Sequence, residues 1–373
     1  MRIGVPKEIK NAEFRVGLTP DSVNELSRAG HEILVEKQAG IGVGASDDDY
    51  RQAGAHIAPR AEDVFEASEL IVKVKEPQAV ERARLRPDHT LFTYLHLAPD
   101  AEQTKDLVAS GATCIAYESV TDAAGALPLL APMSQVAGRM SIQAGAASLE
   151  SSRGGAGLLL GGVPGVAPAK VVVLGGGVVG ANAVQMALGL GADVSVLDRN
   201  PKVLEALSQR FGTGLRTLYS TASALNEAVI RADLVIGAVL VPGAAAPKLV
   251  TRGHVNAMRR GSVLVDVAID QGGCFETSRA TTHEDPTYQV EGIVHYCVAN
   301  MPGAVPKTST YALNHATLPF VLEIAENGAP TAMAKNPHLL AGLNIARGQV
   351  TEPSVAEAHG YEYIRPESAI QTA

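Results

Sequence analysis

The chain has 373 residues, 46% hydrophobic and 19% charged, a length that accommodates two domains and a composition that argues against a disordered or fibrous chain. Its formal net charge is −8 and its basic residues form no long block, so nucleic acid is not an expected partner. Cys114, Cys274 and Cys297 stand far apart without a CxxC spacing, which argues against a disulfide framework or a structural zinc site and fits a reducing cytoplasm.

The opening MRIGVPKEIK carries charge from its second residue, so no signal peptide is expected, and glycines interrupt the apolar stretches too soon for a membrane helix. From there the first part alternates strand-like and helix-like runs. "MRIGVPKE" reads as a strand, "TPDSVNELSRAG" as a helix, "HEILVEK" as a strand and "DDDYRQAGA" as a helix. In the first of these helices Thr19 is the expected cap, Pro20 the first helical residue and Gly30 the stop. "ELIVKVKEP", "APDAEQTKDLVASG" and "TCIAYESV" continue as strand, helix and strand. Alternation of this kind predicts parallel strands joined by crossover helices.

Around residues 123–165 the character changes. "PMSQVAGRMSIQAGAASLE" reads as a long helix rich in small residues, suited to packing between subunits or between domains, and a glycine-rich lead follows. A second series then begins with strand "KVVVLGGG", helix "VGANAVQMALGLGA", strand "DVSVLDRN" and helix "PKVLEALSQRFG". The apolar runs "ADLVIGAVLV", "GSVLVDVAID" and "GIVHYCVAN" suit parallel strands buried on both faces. After Pro302 a helical segment and a polar tail are expected to pack back on the first domain. The predicted fold is α/β, with two Rossmann-like doubly wound domains. A dinucleotide domain over 129–304 is inserted in a discontinuous substrate domain, 1–128 with 305–373.

Gly175, Gly177 and Gly180 form GxGxxG directly after the strand "KVVVL". The first glycine permits the tight turn, the second lets a pyrophosphate approach the backbone, and the third allows close helix–strand packing. The pattern alone is weak in a chain with 37 glycines, but Asp198 closes the next strand, where an acid binds the ribose hydroxyls. A carboxylate there repels a 2′-phosphate and favours NAD over NADP, whereas the adjacent Arg199 could tolerate that phosphate.

Outside the fingerprint, titratable residues lie beside apolar strand segments. Lys75, His96 and Asp270 fall at strand ends and Arg15 beside a helix start. Each also has a plain reading. Arg15 could be a solvated loop residue, Lys73 and Lys75 one half-solvated strand face, His96 a core histidine, and Asp270 a turn cap before Gly272 and Gly273. His254, His283, His295 and His315 lack metal-ligand spacing, and no serine sits in GxSxG, so neither a metal site nor a serine hydrolase is expected.

Taken together, "MRIGVPKEIKNAEFRVGLTP", "VKVKEP", "LFTYLHLA", "PMSQVAGRMSIQAGA", "VVVLGGGVVGANAVQMALGLGADVSVLD" and "HYCVANMPGAVPKTSTYALNHATLP" resemble the alanine dehydrogenase family from residue 1 to about 365. The resemblance implies reversible NAD-dependent oxidative deamination of L-alanine to pyruvate and ammonia. It implies that Arg15 and Lys75 hold the substrate, that His96 is the acid/base and that Asp270 positions the water. For the cofactor it implies Ser134 near the phosphates or the nicotinamide, Val178 and Val179 at the pyrophosphate turn, Asp198 on the ribose, Ser220, and Val239 with Leu240 at the adenine side. Val267, Ala268, Ile269, Asp270, Arg279, and Val298, Ala299, Asn300 and Met301 complete the implied set. One position departs from the family pattern, because Val203 stands where a basic residue is often found, and Lys202 or Arg199 would take its place. The family is usually hexameric. The nearest alternative it implies is the NAD-binding component of a proton-translocating transhydrogenase.

Overall fold

The computed structural model describes residues 1–239 and 246–371, and the chain divides into two compact units, Met1–Met133 with Val305–Ala373 and Ser134–Ala304. In the first unit β1 (Arg2–Val5), β2 (Glu32–Glu36), β3 (His56–Ala58), β4 (Leu70–Val72), β5 (Thr90–Thr93) and β6 (Thr113–Ala116) alternate with helices. The second unit carries β7 (Lys170–Leu174), β8 (Asp193–Asp198), β9 (Leu215–Tyr219), β10 (Leu234–Gly237), β11 (Val263–Asp266), β12 (Thr287–Val290) and β13 (Ile293–Tyr296). The chain then returns to the first unit through the helix Pro306–Asn327 and adds β14 (Leu343–Ala346) and β15 (Gln349–Val350).

Among the described residues the first sheet runs β15-β14-β6-β5-β4-β1-β2-β3, and the second β12-β13-β11-β10-β7-β8-β9. All neighbours pair in parallel except β14 with β6, β15 with β14 and β12 with β13. The central strands are apolar because helices cover both faces. Ile3, Val5, Leu70, Ile71 and Val72 in the first sheet and Val171, Val173, Val235 and Val265 in the second are fully buried. Each sheet reverses its winding once, between β1 and β4 and between β7 and β10. Ligands of open α/β sheets gather beside such a reversal, at the carboxyl ends of the strands.

The helix Pro20–Arg28 begins as its sequence requires, with the Thr19 hydroxyl accepting the Ser22 N–H at 3.2 Å and proline in the first turn. The small residues of the helix Ala131–Ser148 are used inside the second unit. A Cβ on Gly138 would lie 2.2 Å from the Val179 carbonyl, which excludes a side chain, and one on Gly145 would lie 2.7 Å from the Leu234 methyls and would have to displace them.

Candidate active site

In the first unit three of the expected substrate residues follow three adjacent strands, Arg15 after β1, Lys75 after β4 and His96 after β5. The loop carrying Arg15 is pressed onto the end of β4, where a Cβ on Gly17 would lie 2.3 Å from the Val72 carbonyl. The returning helix Pro306–Asn327 secures the same loop. Thr310 accepts the Val16 N–H at 3.3 Å, and Asn314 accepts the Thr19 N–H at 2.7 Å and the Ser22 hydroxyl at 3.0 Å.

Arg15 is not a solvated loop residue. It is 2% exposed, and its fork donates to both carboxylate oxygens of Glu13, at 2.7 Å from Nε and 2.6 Å from Nη2. Burial would lower the Arg15 pKa, but the Glu13 carboxylate outweighs that and raises it, so the guanidinium is firmly charged. Its remaining terminal nitrogen lies 3.1 Å from Met133 Sδ.

Nor do Lys73 and Lys75 share a half-solvated face. The strand ends at Val72, and Lys73 is fully buried between Glu8 at 3.0 Å and Glu81 at 2.7 Å, while Lys75 is half-buried. The two lysines therefore divide into a structural cation and a candidate substrate cation.

His96 is not a core histidine either, because its side chain is 48% exposed. Its backbone is left-handed, with φ of 50°, an uncommon state for a residue with a Cβ. Glu118, which follows β6, holds that turn. Its carboxylate accepts the His96 N–H at 2.6 Å and the Leu95 N–H at 3.1 Å, and it lies 3.7 Å from His96 Nδ1. On the other side the ring stacks on Tyr94, with centroids 5.9 Å apart, and Tyr94 donates its hydroxyl hydrogen to the Leu129 carbonyl at 2.5 Å. The carboxylate thus holds the backbone that carries the imidazole and the Tyr94 ring stacks on it, the arrangement a positioned acid/base needs.

The second unit collects the expected nucleotide residues at its own strand ends. β7 runs into Gly175, whose φ of 97° makes the turn, and a Cβ there would lie 2.7 Å from the Ala238 carbonyl and 3.1 Å from Val239. A Cβ on Gly180 would lie 1.9 Å from the Gly175 carbonyl, which is the close packing its place in the motif requires. At Gly177 a Cβ would meet nothing within 4 Å, and no side chain caps the helix Val178–Gly189 that starts there. Its first N–H groups and positive end suit a pyrophosphate, and Val178 is 46% exposed beside them. One helical turn before Gly138, whose Cβ position abuts Val179, stands Ser134.

Asp198 ends β8 with both oxygens oriented by backbone, Oδ2 accepting the Gly176 N–H at 2.7 Å and Oδ1 the Asn200 N–H at 2.8 Å. The Ser220 N–H donates to the Asp198 carbonyl at 3.0 Å. Val203 packs beneath this turn, 2.6 Å from where a Gly176 Cβ would be, while Arg199 and Lys202 are exposed. The Val203 side chain is thus spent on packing. Leu240 lies outside the described residues.

After β11 the capping aspartate is Asp266, not Asp270. Asp266 accepts the Ala268 N–H at 3.1 Å, the Cys274 N–H at 2.9 Å and the Ser278 hydroxyl at 2.5 Å. This starts the short 3₁₀ helix Val267–Gln271, in which Asp270 is exposed. Burial pushes the Asp266 carboxyl up, and the donors around it push it back down only in part. Arg279 lies over the Tyr288 ring at 4.0 Å, and Val298 bridges Thr281 after β13. Ala299 donates its N–H to the Thr281 carbonyl, Asn300 is left-handed with φ of 62°, and Met301 is buried. Sequence reasoning overlooked Glu8, Glu13, Tyr94 and Glu118. Glu118 was within reach of the rule that found His96, since it too follows a parallel strand.

Fold and site together define an α/β protein in which a glycine-turn dinucleotide fold interrupts a second doubly wound unit that carries cationic and titratable groups at its strand ends. The family models described as alanine dehydrogenase/PNT, N-terminal domain and C-terminal domain match residues 4–137 and 141–353, and the chain belongs to that family. An alanine dehydrogenase of Halomonas elongata is 60% identical over 370 residues, 99% of this chain and 100% of that one. A solved L-alanine dehydrogenase superimposes with a TM-score of 0.94 at 53% identity, covering 96% of this chain and 99% of the other. A transhydrogenase from Sinorhizobium meliloti superimposes with a TM-score of 0.82 at 26% identity, covering 95% of this chain and 100% of the other. Transhydrogenase is therefore the distant relative. Among the described residues no helix is long and apolar enough to cross a membrane.

Proposed function

We propose that this chain catalyses the reversible NAD-dependent oxidative deamination of L-alanine to pyruvate and ammonia. The observation that carries the reading is the convergence of Arg15, Lys75 and His96 at the carboxyl ends of three adjacent strands, on a chain matched over its whole length by alanine dehydrogenases. The Gly175–Gly180 turn with its uncapped helix would hold the pyrophosphate of NAD, and Asp198 would hold its ribose. Strand-end residues Ser220, Val239, Val267 and Val298 would line the rest of its path. When bound, NAD supplies the acceptor for the hydride that leaves the alanine Cα with its electron pair.

The chain's own residues do the remaining work on the imine so formed. Lys75 and Arg15 hold the substrate carboxylate and carbonyl, with Glu13 keeping the Arg15 fork oriented. Asp270 orients the water that adds to the imine carbon. His96 takes a proton from the water as the carbon–oxygen bond forms, returns it to the nitrogen, and accepts the hydroxyl proton as the carbonyl forms and the carbon–nitrogen bond of the carbinolamine breaks, releasing ammonia and pyruvate. Small L-amino acids supplied with NAD or NADP to the purified chain test this directly through absorbance of the reduced nicotinamide. NADH formation with L-alanine is expected, and its absence overturns the reading. His96→Ala should abolish turnover and keep NADH binding, which separates an enzyme from a protein that only senses the nucleotide. A transhydrogenase component would exchange hydride between nucleotides without any amino acid, a reading that 26% identity supports poorly beside 60%. The same reading takes the chain to be a cytoplasmic homo-oligomer, a hexamer, whose mass in solution is measured by light scattering.

A further inference from the structure

The loop after β4 contains a buried ionic cluster that the chemistry above does not use. Lys73 has no exposed side-chain surface, and the carboxylates of Glu8 and Glu81 that bind it are each 2% exposed. Taking three charges out of water costs several kcal/mol per ion before pairing offsets it, so such a cluster gives little net stability. Its geometry, however, is directional. Glu8 turns Oε2 to the Lys73 ammonium at 3.0 Å and uses Oε1 to accept two backbone N–H groups, of Val74 at 2.7 Å and Lys75 at 3.3 Å. Glu81 binds the Lys73 side chain through Oε1 and spends Oε2 on the Gln78 N–H, at the start of the helix Ala79–Arg82.

We infer that Glu8 is a positioning residue for the substrate cation Lys75: clamped by Lys73, its carboxylate fixes the backbone from which the Lys75 side chain departs. The inference rests on the role proposed for Lys75 above. Three observations support it. Past the end of β4 at Val72 the backbone is tied to its neighbour strand only on the β5 side, the Lys73 N–H donating to the Phe92 carbonyl and the Val74 carbonyl accepting the Tyr94 N–H, both at 3.2 Å, while the Val74 and Lys75 N–H groups go to Glu8. The Thr93 hydroxyl donates to the Lys75 carbonyl at 2.9 Å, so both ends of that peptide segment are tied by side chains. Burial would lower the Lys73 pKa, but the two carboxylates outweigh it and raise it, while burial pushes the Glu8 carboxyl up and Lys73 and the Val74 N–H push it back only in part. A charge-assisted bond from a rigid buried carboxylate is the strong form of such a tie.

Glu81 provides the control, because it shares the cluster and the burial but gives its second oxygen to the Gln78 N–H, where Glu8 gives its own to the Val74 and Lys75 N–H groups. Glu8→Gln, Glu8→Asp, Glu81→Gln and Lys75→Ala are compared in the purified full chain by melting temperature, NADH binding and steady-state kinetics with pyruvate. Glu8→Gln should raise the KM for pyruvate about ten-fold, the scale of one loosened charge-assisted contact, and leave the KM for NADH within about two-fold. Glu81→Gln should lower the melting temperature and leave the pyruvate KM unchanged. Glu8→Asp keeps the charge but shortens its reach, so it should raise the pyruvate KM part of the way, and it carries the test if Glu8→Gln does not fold. A pyruvate KM that moves no more in the Glu8 variants than in Glu81→Gln overturns the inference, since a merely structural cluster would treat the two acids alike. A Lys75→Ala chain with an unchanged pyruvate KM would instead overturn the role of Lys75.

Discussion

Gly177 and Gly180 stand three residues apart in one motif, and the structure gives them opposite reasons to be glycine. At Gly177 φ is −67°, which any residue adopts, and a Cβ would meet nothing within 4 Å. Gly177→Ala should therefore leave the unliganded chain as stable as before, or more stable by about 0.4–1 kcal/mol through the less flexible unfolded state. Its cost should appear only with nucleotide, because the methyl enters the space through which a pyrophosphate reaches the helix N–H groups. Losing one or two bonds to a charged group, about 1.5–3 kcal/mol each, weakens NADH binding by about ten- to a hundred-fold or more. Gly180→Ala reverses the pattern, since its Cβ would lie 1.9 Å from the Gly175 carbonyl. That overlap should cost about 1–3 kcal/mol of stability. Thermal melts without nucleotide and fluorescence titration with NADH read the two effects separately. An NADH affinity in Gly177→Ala equal to that of the unaltered chain would refute the placement of the pyrophosphate at this turn.

Asp198→Ala should raise the KM for NAD about ten-fold and bring NADP into use, because the carboxylate that repels a 2′-phosphate is gone and the exposed Arg199 remains; an unchanged preference for NAD counts against Asp198 as the ribose acid. Glu118→Ala removes the acceptor of the His96 and Leu95 N–H groups, and a left-handed backbone costs about 1–2 kcal/mol without such support. kcat with L-alanine should fall by about a hundred-fold while NADH binding holds, and a kcat within two-fold of the original would show that His96 needs no such hold. Burial pushes the Cys297 thiol up to about 11, the Cys114 thiol up to about 12 and Cys274 well above its usual range. At pH 8 the native chain should thus resist a thiol–disulfide exchange reagent, and all three cysteines should react once guanidinium unfolds it; rapid labelling of the native chain would contradict this burial.

The fold was legible wherever burial imposed a pattern. The central strands β1, β4, β7, β10 and β11 are covered on both faces, so their apolar runs stand out from the flanking helices. Strands with weaker burial left weaker signals. β9 keeps only Leu215 fully buried, β12 none of its residues, and β14 sits in a tail that reads as polar although all four of its residues are buried. The helix Ala131–Ser148 was legible as a helix, but not its partner, because small residues state that something approaches closely without naming it. Here the approaching groups are the Val179 carbonyl and Leu234.

At the site, local pattern identified residue types and could not tell apart two like neighbours. Lys73 and Lys75 have the same spacing relation to the strand, yet one is the centre of a buried cluster and the other half-buried, because Glu8 and Glu81 reach Lys73 from sequence positions far from it or across a turn. Asp266 and Asp270 pose the same problem. The cap before the glycines went to the buried aspartate, since an acid at a strand end with no water must be satisfied by backbone N–H groups, and the loop after β11 folds around it. In both pairs the buried member is consumed by the fold. The strand-end rule locates the pair, but only the partners brought in by tertiary packing divide the labour within it, so a variant at the buried member should disturb the other through the backbone they share.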